Sequence, residues 1–297
     1  MYDFSAYYEA GSVQHAIDLL LANPNAKIIA GGSDVLIKIR ENQPGYRELV
    51  CIQGLDELRG VFLDDDETIR ILPLTCFTQI IKNPLILKLF PVLSQAVSQV
   101  GGVSVRNIGT IGGNICNGAT GADSASTLLA YDAVLELTGA SGIRRLPLRE
   151  FFISPGKVAL NPAEILTAIL IPKSSYSGYF GHYIKYSIRN AMDIATINCS
   201  CNIKLSFCGN TVENMRMAFG AAGPVPVRVC SAETYAKGTD ILENFAQRAA
   251  KHIIADIKPR SSPRASKEFR THLARELARR AINECINLAR GKEDKDG

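Results

Sequence analysis

The spacing of apolar residues changes several times along the chain, and each change marks an element. Ser12 precedes Val13, Ala16, Ile17, Leu20 and Leu21, the pattern of a capped amphipathic helix that Asn23-Pro24-Asn25 ends. Lys27-Ile28-Ile29-Ala30 reads as a strand, Gly31-Gly32 as a turn, and Asp34 to Arg40 as a second helix capped by Ser33. Leu49 to Ile52 is the next strand, so the opening segment predicts a β-α-β-type unit with parallel strands. Gly60 to Leu63 and Thr68 to Ile71 are short strands around the acidic turn Asp64-Asp65-Asp66, read as a solvated hairpin rather than a metal site. Phe77 to Ile81 and Leu85 to Val100 are helical, punctuated by Asn83-Pro84 and Pro91.

Gly101 to Gly121 has no periodicity and many glycine and polar residues, which marks a functional loop zone rather than a linker. Asp123-Ser124 opens an apolar helix to Ala130. Ala133 to Thr138 and Ile143 to Pro147 make a hairpin, and Glu164 to Ile171 a further strand. Pro172 to Gly178 reads as a linker. Three strand-like runs follow: Gly181 to Ile188, Ala195 to Phe207, and Val212 to Phe219. Two helices close the chain, one over Ala232 to Ile257 and one starting at Ser262-Pro263, with Phe269, Leu273, Leu277, Ala281 and Cys285 stepping by four. Gly291 to Gly297 is expected to be a disordered tail.

Composition narrows the function classes. The chain has 297 residues, 46% hydrophobic and 21% charged, with a formal charge of +4 spread along its length, which does not point to nucleic acid. No apolar segment is long enough to span a membrane, and Met1-Tyr2-Asp3-Phe4 lacks the features of a signal peptide. The eight scattered cysteines form no C-x-x-C pair, and the reading is a reduced, cytoplasmic protein. Cys199 and Cys201, alternate residues of one strand, are expected to pack in the core. Four dispersed histidines argue against a self-contained metal or His-triad enzyme, and no catalytic residue or metal ligand is assigned.

Two glycine turns carry the candidate chemistry. Ala30-Gly31-Gly32-Ser33-Asp34 joins a strand to a helix, and Thr110-Ile111-Gly112-Gly113-Asn114 repeats the idea later in the chain. Adjacent glycines let a ligand approach the backbone, and free amides at a helix start suit a phosphate. Two such turns fit one extended ligand held at two places, a dinucleotide pyrophosphate. Neither turn is a Rossmann G-x-G-x-x-G or a P-loop.

Four stretches together resemble the FAD-binding subunit of molybdenum hydroxylases, and most closely the medium subunit of bacterial xanthine dehydrogenases. They are Lys27 to Asp34, Arg106 to Asn117, Ala122-Asp123-Ser124, and Lys185-Tyr186-Ser187-Ile188-Arg189, in matching order and spacing over about residues 1 to 290. The resemblance implies an α+β protein with an FAD-binding fold of the vanillyl-alcohol-oxidase (PCMH) type. Its two subdomains would cover 1–57 and 58–175, followed by a C-terminal α+β domain over 176–290 like that of CO dehydrogenase flavoproteins. It places FAD contacts on Lys27, Ile28, Ile29, Ala30, Gly31, Gly32, Ser33 and Asp34. Further contacts fall on Gly109, Thr110, Ile111, Gly112, Gly113 and Asn114, and on Val100, Asp123, Ile165 and Lys185. Asp123 fits either a ribose or adenosine contact or a helix N-cap, and Lys185, taken alone, reads as a surface lysine. Cys116 is read as a buried thiol rather than a flavin attachment point.

The resemblance further implies two partners, a large subunit with a molybdenum-pterin cofactor and a small subunit with a [2Fe-2S] cluster. Electrons would pass through FAD to NAD+ or another acceptor, in purine or other N-heterocycle oxidation. Arg189 and Asp193 would lie near the approaching acceptor, and Met192 stands where some NAD-reducing relatives carry an acid. The competing readings are a self-sufficient flavin reductase of the same fold and a scaffold subunit with a vestigial cofactor site.

Overall fold

The computed structural model describes residues 3–296. The opening segment folds as the β-α-β pattern predicts. Strands Lys27–Ile29 and Glu48–Cys51 run parallel, and helix Val13–Ala22 packs beside them with the Ser12 hydroxyl accepting from the His15 amide at 3.0 Å. A third parallel strand, Ala6–Glu9, completes this sheet on the other side of Glu48–Cys51. Four residues with two tyrosines and no apolar run carry too little signal to mark it in advance.

A second, antiparallel sheet has the order Val61–Leu63, Ile69–Ile71, Ile165–Ile171, Val134–Gly139, Gly142–Pro147. Its long central strand comes after both hairpins in the chain, so the acidic hairpin and the Gly139 hairpin are joined by a segment that is far in sequence from the first of them. A third sheet, Phe180–Tyr186, Ile197–Leu205, Val212–Gly220 and Val227–Arg228, is antiparallel and backed by the helix Lys267–Asp296. The class is α+β, as expected. Cys199 and Cys201 are both fully buried in the apolar core between that sheet and its helices.

Several elements differ from the sequence pattern. Gly101 to Gly121, expected as loop, holds two short helices, Val103–Ile108 and Ile111–Cys116. The helix expected over Ala232 to Ile257 is broken into Cys230–Ala236, Phe245–His252 and a 3-10 turn at Ile253–Ala255, because Gly238 (φ +73°) and Asn244 (φ +63°) turn the backbone left-handed. The linker Pro172 to Gly178 contains the helical turn Lys173–Tyr176. The last helix starts at Lys267, not Ser262, with the Ser266 hydroxyl accepting from the Phe269 amide at 3.1 Å. That helix continues to Asp296 through most of the expected disordered tail, while Gly297 lies outside the described residues. Among the described residues no helix is long and apolar enough to cross a membrane.

Candidate functional site

The two glycine turns meet. A Cβ on Gly31 would stand 1.9 Å from the Ile108 carbonyl oxygen and 3.3 Å from Gly109 Cα, so the first turn lies directly against the residue that leads into the second. Only a residue without a side chain fits there. Gly32 has φ +72°, which glycine adopts without strain and which swings the chain from strand Lys27–Ile29 into helix Val35–Arg40. The Lys38 ammonium ties that helix to Asn117 at 3.0 Å, just past the second turn.

Ser33 does not cap the helix as expected. The N-cap position falls to Asp34, and neither side chain accepts a capping hydrogen bond. The amides of Gly31 and Ser33 have no acceptor among the described residues, so they are free to donate to a ligand. The second turn behaves differently. Thr110 caps helix Ile111–Cys116 by accepting from the Gly113 amide at 3.1 Å. The Ile111 amide donates to Thr75 O at 3.1 Å and the Gly112 amide to Pro73 O at 2.9 Å. A Cβ on Gly112 would lie 2.4 Å from Pro73 Cβ. These glycines therefore allow a backbone joint with Pro73–Thr75, and the idea that both turns offer a row of free amides is corrected: the first does, the second spends most of its amides internally.

From the second turn a chain of contacts leads to the charged pair. Asn114 Oδ1 accepts from the Ser124 hydroxyl at 2.7 Å, next to Asp123. Asp123 opens helix Asp123–Ala130 but does not cap it. Its carboxylate accepts from Tyr183 Oη at 2.5 Å and from Lys185 Nζ at 2.9 Å. The side chains of Lys185 and Asp123 are 5% and 8% exposed, so Lys185 is not a surface lysine. Its ammonium also donates to Gln99 O at 2.9 Å, beside Val100, leaving one N–H uncommitted. Burial pushes the Asp123 carboxyl above its ordinary range, against the pull of the Lys185 ammonium and the Tyr183 hydroxyl. Burial, with the Asp123 charge added, likewise pushes the Tyr183 phenol far up, so it stays a proton donor.

Ile165 heads its strand fully buried in an apolar cluster that Ile28 and Ala30 border, which ties the base of the first turn to the second sheet. Ile29 faces the other way, onto Ile39 and Leu49. Lys27 is exposed, with its stem against Gly45, and among the described residues no hydrogen bond or ion pair ties its side chain to the junction. Val100 is half-buried and its carbonyl accepts from Arg106 Nη1 at 2.9 Å. Cys116 is half-buried, its thiol pushed up to about 12 by burial, which keeps it protonated and poorly nucleophilic. Arg189 and Asp193 close the loop after Lys185 on each other, Arg189 N donating to Asp193 Oδ2 at 3.0 Å. Met192 reaches Gly102, where a Cβ would lie 3.2 Å from Met192 Cγ.

Tyr183 is the residue that sequence reasoning missed. The signal was available: residues two apart on a strand share a face, so a buried Lys185 carries Tyr183 to the same place. Gln95 anchors that strand by accepting from the Tyr183 amide at 3.0 Å.

These residues fit a flavin dinucleotide chemically. Unpartnered amides at a glycine turn suit a diphosphate, and a buried carboxylate and ammonium suit hydroxyl and heteroaromatic groups. Comparison with known proteins bears on the same point. Residues 2–174 match the FAD binding domain in molybdopterin dehydrogenase, and 182–285 match the CO dehydrogenase flavoprotein C-terminal domain. The chain is 42% identical over 292 residues to the xanthine dehydrogenase FAD-binding subunit of Escherichia coli O157:H7, covering 98% of this chain and 99% of that one. It is 30% identical over 281 residues to the carbon monoxide dehydrogenase medium chain of Hydrogenophaga pseudoflava, covering 93% and 95%. A solved structure of the carbon monoxide dehydrogenase from that organism superposes with a TM-score of 0.90 at 28% identity, over 96% of this chain and 98% of that one. With both domain models matched in order and a relative 42% identical over nearly its full length, the chain belongs to the family of FAD-binding subunits of molybdenum hydroxylases and is an oxidoreductase subunit.

Proposed function

We propose that this chain is the electron-transfer subunit of a xanthine dehydrogenase-type complex. In this reading a large subunit with a molybdenum-pterin cofactor oxidises the substrate, and a [2Fe-2S] subunit relays electrons to FAD on this chain. NAD+ or another acceptor then takes them away. Bound FAD would supply the chemistry, accepting electrons one at a time and releasing them as a pair. The chain's own residues do the rest.

The turn at Gly31–Asp34 holds the diphosphate through its free amides. Thr110 to Asn114 fix the position of that turn rather than compete for the ligand. Asp123 and Lys185 orient the remainder by hydrogen bonds in a site shielded from water, and Tyr183 keeps the Asp123 carboxylate in place. Val100 and Ile165 are apolar borders. The observation that carries the reading is the meeting of Gly31 with Ile108 and Gly109, one contact chain away from a buried Asp123–Lys185 pair. The likeness to the xanthine dehydrogenase subunit, at 42% identity over nearly the full length, favours a purine-type substrate for the complex over carbon monoxide or nicotinate.

The chain purified alone should show the visible absorption band of a flavin, with near-stoichiometric FAD released on denaturation. Affinity purification from cells should bring down two further subunits, one with molybdenum and one with iron and sulfide. A colourless protein sinks the cofactor assignment. A coloured protein that oxidises NADH and a substrate without partners favours the self-sufficient reductase instead.

A further inference from the structure

Helix Asp123–Ala130 packs on strand Ile197–Leu205 through a seam that is polar and wholly buried. Asn198, Ser200 and Asn202 alternate along the strand, are 0% exposed and face the helix, while Ile197, Cys199, Cys201 and Ile203 face the apolar core behind the sheet. Two asparagines tie the strand to the helix at its ends. Asn198 Nδ2 donates to Gly121 O at 3.2 Å, just before the helix, and Asn202 Nδ2 donates to Ala130 O at 2.9 Å, at its last residue. The strand rises about 13 Å from Asn198 to Asn202, and a helical stretch from Gly121 to Ala130 rises by about the same. The two elements therefore run side by side, and Ser200 lies opposite the middle of the helix. Thr127 stands there, 0% exposed, one turn beyond Asp123 on the face that Asp123 presents to Tyr183 of this sheet.

Three polar atoms of this seam have no hydrogen-bond partner among the described residues: Thr127 Oγ1, Ser200 Oγ and Asn202 Oδ1. No two of them bond each other. The bond to Ala130 O fixes the Asn202 amide group, so its oxygen and not its nitrogen is left over. The neighbours of Ser200 across the sheet offer no partner: the Tyr183 hydroxyl is spent on Asp123, and Ala218 has no polar side-chain atom. Leaving these atoms bare would cost each of them its lost hydration. The set is balanced for one water molecule. Two hydroxyls donate and one amide oxygen accepts, while a water accepts twice and donates once. About three bonds is also what a buried water makes. We propose that Thr127, Ser200 and Asn202 form a binding site for an internal water molecule that joins helix Asp123–Ala130 to strand Ile197–Leu205. The water completes the seam between the flavin-type segment and the C-terminal sheet, one strand pair away from the Tyr183–Asp123 bond. The site needs neither flavin nor a partner chain, so it stands apart from the function proposed above.

The sign of one substitution tests this. Thr127→Val keeps the outline of the side chain and removes the hydroxyl. If that hydroxyl holds a water, its loss should raise the unfolding equilibrium constant about tenfold, measured by denaturant unfolding of the full chain with flavin content matched between samples. If the hydroxyl is bare, valine relieves an unmet polar group. The variant is then as stable as the parent or more so, and the proposal is overturned. Ser200→Ala should act in the same direction. The double variant should lose clearly less than the product of the two single effects, because both substitutions act on one water. A double variant that equals the product removes the shared site. A crystal structure of the parent chain, at a resolution that shows ordered water, gives the direct check. One solvent peak within hydrogen-bond distance of Thr127 Oγ1, Ser200 Oγ and Asn202 Oδ1 is expected. A seam without that peak overturns the proposal, whether or not the variants fold.

Discussion

At the scale of single residues, the site rests on one position without a side chain and one pair of charges. Replacing Gly31 by alanine drives a methyl into the Ile108 carbonyl, a backbone atom that cannot swing aside. The expected cost is about 1–3 kcal/mol of overpacking, together with loss of bound flavin. Gly54→Ala is the control, since a Cβ there meets nothing within 4 Å. Thermal unfolding with flavin release as a second readout separates the two variants, and equal behaviour would refute the close approach of the turns. The Asp123–Lys185 pair predicts non-additivity. Lys185→Met leaves a buried carboxylate with neutral partners, Tyr183 and Asn198, and no counter-charge, and should cost about 3–5 kcal/mol. Adding Asp123→Asn removes the stranded charge, so the double variant should be more stable than the single one, measured by denaturant unfolding.

At the scale of elements, the central strand Ile165–Ile171 is pinned at its start by Glu164. Its carboxylate accepts from Arg144 Nε and Nη2, both at 2.7 Å, and from the Asn161 amide at 2.7 Å. The Arg144 bond chiefly holds the Glu164 carboxyl down at about 2, below the usual carboxylate range. A depressed pKa contributes stability that is fully present above the unfolded value, about 4.5, and is lost as pH falls through the folded value, about 2. The contribution stays below about 3 kcal/mol because Arg144 is 37% exposed and water screens the pair. The stability difference between the parent and Glu164→Gln should therefore shrink steadily from pH about 4.5 down to about 2. A difference that does not change over that window would remove this role. The glycine-rich zone makes the opposite point about elements: glycines at Gly112 and Gly113 depress helix propensity, yet Ile111–Cys116 is helical because Thr110 caps it and Pro73–Thr75 bonds its first amides.

At the scale of the molecule, the flavin-type segment and the C-terminal sheet are locked by arginines converging on Asp132. This residue follows helix Asp123–Ala130 and accepts from Arg216 Nε at 2.8 Å and from Arg228 Nη1. The arginine side chains are 12% and 14% exposed. Asp132 has φ +48°, a conformation asparagine also tolerates, so Asp132→Asn tests charge without backbone strain. It should cost about 1–3 kcal/mol, less than for a fully buried pair because Asp132 itself is 42% exposed. Calorimetric unfolding checks this, and an unchanged melting temperature would show that Glu233 alone satisfies Arg228.

Contiguous residues determined a good deal by themselves. Apolar period set most strands and helices, the paired glycines marked both turns, and the ordered motifs pointed to the family, because periodicity and backbone sterics act over a few residues. Tertiary structure alone decided the rest. Lys185 became buried because Asp123, 62 positions away, meets it. The second turn lost its free amides to Pro73 and Thr75, and the Arg270 guanidinium is held by the carbonyls of Thr196 and Ala221. Each of these depends on which distant groups pack together, and so on desolvation and pairing that no local window of sequence contains.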